Sequence, residues 1–193
     1  MRSALRFAIG VTAVTALLTG CAGGGDPPRS APAASTTATG SGATALVARS
    51  GAGVEAGDLS RVQVAQDVTV PGRPSDKLRL GVQSLSVQGK VMLLRLVVTP
   101  HFASQSNDKA LSLFDALGDQ VFRPRLVDGI NLKEYSAIGG VDPWVSSELD
   151  VHAVNGSPML AWAYFAAPQD NICTVKVRIS DAWPAFTDVP ITR

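Results

Sequence analysis

Two cysteines, two histidines and a scatter of carboxylates are the side chains of this 193-residue chain suited to covalent, acid–base or metal chemistry. Cys21 stands in Leu18-Thr19-Gly20-Cys21, directly after an apolar stretch. Cys173 shares the parity of Val175, Val177 and Ile179 and is expected to be a buried thiol packing as a small hydrophobe. His101 and His152 read as surface or strand-end histidines rather than bases. The domain holds no Gly-x-Ser-x-Gly elbow, and its histidines and cysteine lack a zinc spacing. Asp115, Asp119 and Asp128 surround one turn, where calcium is conceivable and turn chemistry is the ordinary role. Asp119, Asp128, Glu134, Asp142 and Glu148 crowd the middle third. A pair of them would serve glycoside hydrolysis; exposed loop acids are the plainer reading. No catalytic residue, metal ligand or cofactor is assigned.

The residues before Cys21 decide its fate. Arg2 and Arg6 make a basic start, and residues 7–18 are uncharged and mostly apolar. A spanning helix needs roughly 20 apolar residues, so this pattern reads as a secretory signal peptide over residues 1–20. Leu-Thr-Gly-Cys resembles the lipobox of bacterial lipoproteins at all four positions. That resemblance implies a diacylglyceryl thioether on Cys21 and cleavage just before it. Two acyl chains hold stably where one holds marginally. The implied location is the extracytoplasmic face of a cell membrane, with the membrane itself as a partner. Removing Arg2 and Arg6 from the 17 basic side chains leaves 15 against 16 acidic ones. Such a balance does not point to nucleic acid.

Residues 21–58 carry the cysteine and then Gly, Ala, Ser, Thr and Pro with few large apolar side chains. A segment of that composition cannot offset its ordering entropy, so it reads as a tether of about 30–37 Å r.m.s. reach. Leu46 and Val47 are its candidates for weak docking on the domain.

Residues 59–193 read as one domain built from strands. Val62, Val64, Val68 and Val70 alternate with mostly polar residues. Residues 77–87 alternate and then slip phase, which predicts a bulge between Gly81 and Ser84. Gln88-Gly89 predicts a hairpin turn into residues 90–98. Residues 111–128 read as a second hairpin turning at Leu117-Gly118-Asp119, with a helical turn expected near 104–111. Further strands are expected at 160–166, 173–180 and 186–191, the last at an edge because of Pro190. The fold class is therefore all-β: an immunoglobulin-like antiparallel β-sandwich, with a closed barrel as the alternative.

Residues 77–191, through "LFDALGDQVFRP", "AYFAAPQDN" and "VKVRISDAWPAFTDVPI", resemble secreted immunoglobulin-like domains in lipoproteins of high-GC Gram-positive bacteria. The resemblance implies a fold and carries over no active site. Recognition is expected on the irregular stretch 137–147, with Trp144 as its aromatic and Tyr135 and Lys133 just before it; the alternative is that Trp144 folds back to cap the core. Trp183 is expected to cap the core. The expected function is a non-catalytic binding or accessory module for a protein or a cell-wall polymer. The alternatives are a cell-envelope hydrolase with a carboxylate site, or a structural spacer.

Overall fold

The computed structural model describes Val54 and residues 57–193. The expected signal peptide, Cys21 and most of the expected tether lie outside the described residues.

Antiparallel strands dominate. The first sheet runs in the order β1 (Val64–Val70), β2 (Arg73–Gln88), β3 (Val91–Phe102), β8 (Met159–Ala166). The second runs β10 (Phe186–Pro190), β9 (Thr174–Arg178), β5 (Arg125–Asp128), β6 (Lys133–Ser136). A small ribbon pairs β4 (Ala110–Ser112) with β7 (His152–Val154), and one four-residue helix, α1 (Leu113–Ala116), follows β4. Two antiparallel four-stranded sheets with a shared core make the expected all-β sandwich.

Alternation builds the interior. Leu78, Leu80 and Val82 of β2, then Met92, Leu94, Leu96 and Val98 of β3, face inward and are almost wholly buried. Ala161, Ala163 and Phe165 of β8 join them from the same sheet, and Leu126, Val175, Val177 and Val189 meet them from the other. Each large aliphatic side chain so buried contributes about 1.5–3 kcal/mol. The register of β2 on β3 shifts between Val82 and Ser84, and the extra residue returns Leu85 to the core. The expected bulge is thus present. The turn that follows is Gly89-Lys90, with Gly89 at φ +63°, one residue later than expected.

The expected second hairpin at 111–128 is not formed. Ser112 accepts a hydrogen bond from the Asp115 N–H, and the Asp115 carboxylate accepts one from the Ser112 N–H. This capping box winds residues 113–116 into α1, after the region where a helical turn was expected. β4 then pairs with the distant β7, and β5 pairs with β6 and β9. Local side-chain hydrogen bonding has outcompeted a ladder.

Cys173 is exposed, not buried as expected. β9 begins at Thr174, so strand parity no longer sets the side on which residue 173 lies. Ile172 is buried there instead. Trp183 is 8 % exposed and donates its indole N–H to the Thr69 carbonyl at 2.8 Å, capping the core as expected.

A second apolar cluster lies on the outer face of the first sheet. Leu93, Leu160 and Trp162 are buried there, with Leu59 and Tyr164 packed against them. Val54 belongs to this cluster and is 6 % exposed. Packing on the domain therefore begins before residue 59.

Candidate functional site

The stretch after β6 is irregular, as its glycines and proline suggest, but its backbone is tightly held. The Ile138 N–H donates to the Tyr164 carbonyl at 2.9 Å, and the Tyr164 N–H donates to the Trp144 carbonyl at 2.9 Å. The Ser146 N–H reaches the Trp162 carbonyl at 2.8 Å, and the Trp162 N–H donates to the buried Ser146 hydroxyl at 2.8 Å. The loop thereby covers the open edge of β8. Within it, the Trp144 N–H closes a turn onto the Ile138 carbonyl at 2.7 Å. Gly139 and Gly140 supply the positive φ angles, +109° and +63°, that the turn requires.

This scaffold holds Trp144 outward, with 58 % of its surface exposed. Its ring meets Tyr164 edge-on, centroids 6.1 Å apart, and Tyr164 meets Trp162 in the same manner at 5.6 Å. Edge-to-face contacts of this kind stabilise a defined ring orientation. Among the described residues Trp144 is thus a fixed, solvent-facing aromatic.

Tyr135 and Lys133 do not join it. Tyr135 pairs with Leu126 and packs against the core, where burial pushes its phenol above the ordinary range. Lys133 pairs with Asp170, and that hydrogen bond raises its ammonium above the usual lysine value. Both serve the edge strand β6. Sequence adjacency to the loop placed them with Trp144, whereas the pleat turns Tyr135 inward.

The acids divide by task. Asp115 caps α1, and Asp119, at φ +61°, pairs with Arg73 at 2.7 Å. Asp128 is buried and accepts from the Ile130 and Asn131 N–H groups and from the Asn131 amide. Asn131 first of all holds the Asp128 carboxyl below its usual range. Glu134 pairs with Arg125 at 3.0 Å. Asp142 and Glu148 line one depression of about 310 Å³, with Asp142 exposed and Glu148 half-buried. No group of three or more His, Cys, Asp or Glu fit to hold a metal occurs among the described residues. His101 and His152 are both exposed.

Sequence reasoning missed three arginines that the fold gathers on the second sheet. The alternation of residues 121–128 turns Phe122, Pro124, Leu126 and Asp128 inward and Arg123 and Arg125 outward. Arg178 of β9 is the register partner of Arg125. The three border one depression of about 360 Å³. Arginines 53 positions apart in sequence carry no joint signal until the pairing of β5 with β9 is known.

Comparison with known proteins identifies no matching family, and neither a curated protein nor a solved structure is significantly similar to this chain.

Proposed function

We propose that this chain is a lipid-anchored, non-catalytic binding module on the extracytoplasmic side of a cell membrane. In this reading Cys21 carries a diacylglyceryl thioether, the Gly/Ala/Ser/Thr/Pro segment is a tether, and the sandwich presents Trp144 to a protein or a cell-wall polymer. The observation that carries the binding role is the exposed, backbone-stitched Trp144. Tryptophan is enriched among residues that dominate binding energy, and a ring already held in place loses little further freedom when it is covered.

A hydrolase reading fits less well. A general-acid carboxyl is tuned by apolar enclosure, and the depression holding Asp142 and Glu148 leaves Asp142 exposed. The anchor rests on the order Leu18-Thr19-Gly20-Cys21. One mass measurement tests it. The mature protein should begin at Cys21 and carry the mass of two acyl chains on glycerol. An unacylated chain retaining its leader would remove the anchor.

The binding role is tested separately. Crosslinking in intact cells should capture a neighbour with the native chain, and Trp144→Ala should reduce that capture about tenfold or more. The melting temperature should move by only a few degrees, because the side chain is largely solvated. Unchanged capture would overturn the role of Trp144.

A further inference from the structure

The outer face of the second sheet contains an arrangement that folding alone does not favour. Arg125 and Arg178 are direct cross-strand partners. Like charges placed opposite one another, with Cβ atoms about 5 Å apart, destabilise a sheet. Arg123 stands two residues before Arg125 on the same side, about 7 Å along the extended chain. All three are accessible from the depression of about 360 Å³, which Gln120, Ser180 and Asp181 also border.

The local acids do not fully compensate. Arg125 donates one nitrogen to Glu134 at 3.0 Å, and Arg178 donates one to Asp181 at 2.6 Å. Both pairs are solvent-exposed, the Asp181 side chain at 82 %. Exposed pairs of this kind contribute about 0–1 kcal/mol and can be exchanged for another anion. Arg123 makes no ion pair among the described residues, although Asp142 and Glu148 border the next depression beside it. Each guanidinium presents five N–H donors in a rigid fork, so most donors of the trio remain available. The Ser180 hydroxyl is turned to Gln120 at 2.7 Å and stays in place without a ligand.

We infer that Arg123, Arg125 and Arg178 form an oxyanion site for a phosphate group. Planar guanidinium forks suit the oxygens of phosphate in bidentate geometry. Three forks around one cavity can serve three or four oxygens, more than a carboxylate has. A free molecule, a polymer and a lipid headgroup can each bear that phosphate. The shared chemistry is the same. Arg123 and Arg125 also border a neighbouring depression with Gly140, Pro143 and Val145 of the loop that holds Trp144, but the site depends on neither the anchor nor the Trp144 reading.

The test is a titration of the full chain with inorganic phosphate at low salt, followed by amide chemical shifts. Saturable shifts should centre on residues 120–125 and 178–182. Arg123→Gln and Arg178→Gln should each weaken binding about tenfold or more, the loss expected for a charged hydrogen-bonding partner. Arg79→Gln, whose side chain pairs with Asp67 on the first sheet, should leave the affinity unchanged. Far-UV circular dichroism confirms that each variant is folded. Acetate at equal concentration should bind more weakly. Absence of saturable shifts, equal binding of acetate, or indifference to both arginine substitutions would each overturn the site. Phosphatidylglycerol vesicles supply the second arm, with the Cys21→Ser chain so that no acyl anchor contributes. Cosedimentation lost in Arg123→Gln assigns the phosphate to a headgroup, and phosphate binding without cosedimentation assigns it to a soluble or polymeric source.

Discussion

Asp76 shows how one side chain can couple a strand to the loop that follows its neighbour. It is fully buried at the start of β2, and it accepts from the Ser104 N–H at 3.0 Å and the Ser104 hydroxyl at 2.6 Å. Burial works to raise its carboxyl, but the Ser104 bonds and Arg73 outweigh that, leaving it below the ordinary value of 3.8. Asp115 is lowered mainly by the Ser112 hydroxyl and Asp128 mainly by Asn131. All three bind protons less readily in the folded chain than in the unfolded one. Their stabilisation is therefore complete above about pH 4 and lost as pH falls through the depressed values. Acid unfolding followed by circular dichroism should show this loss, with a shallower dependence in Asp76→Asn. Asp76→Ala should cost about 1–2 kcal/mol in denaturant melts, limited because Ser104 can regain water.

At the scale of elements, the loop that presents Trp144 depends on Gly139. A Cβ there would lie 2.2 Å from the Asp142 carbonyl oxygen, at a φ of +109°. Gly139→Ala should open the turn, at a cost of about 1–3 kcal/mol in denaturant unfolding. Faster amide exchange at Ile138 and Trp144 would report the opening, and unchanged exchange would show that the turn tolerates the clash. Gly140→Ala meets no neighbour within 4 Å and should be milder. The strands were legible where one face is buried: Leu78, Leu80 and Val82 announce β2, and Val175, Val177 and Ile179 announce β9. Short strands were not. β4 and β7 have three residues each and β6 has four, too few for a period to emerge. α1 was hidden because its start lies in a Ser112–Asp115 exchange, which competes with a hairpin reading of the same residues. Trp144 was legible as a candidate because glycines and a proline surround it. Its exposure followed only from the pairing of the loop with β8, and the arginine trio only from that of β5 with β9.

For the molecule as a whole, the domain is longer than its strands suggest. Val54 lies ten residues ahead of β1, and it is buried with Leu93, Leu160 and Trp162. Val54→Ser should lower stability by about 1–2 kcal/mol, the transfer energy of a buried valine. Urea melts of the full chain would measure it, and no change would return the segment to the tether. Removing this contact should leave the inner core intact, because its residues lie between the sheets.

The sandwich also has irregular margins. β10 shifts register between Phe186 and Val189, holds Asp188 at φ +54°, and ends at Pro190, while β1 shifts between Thr69 and Val70. The β10 margin thus offers no straight row of unpaired amides to a newcomer. Copies crowded into a small area should therefore not zip into a continuous ribbon along this side.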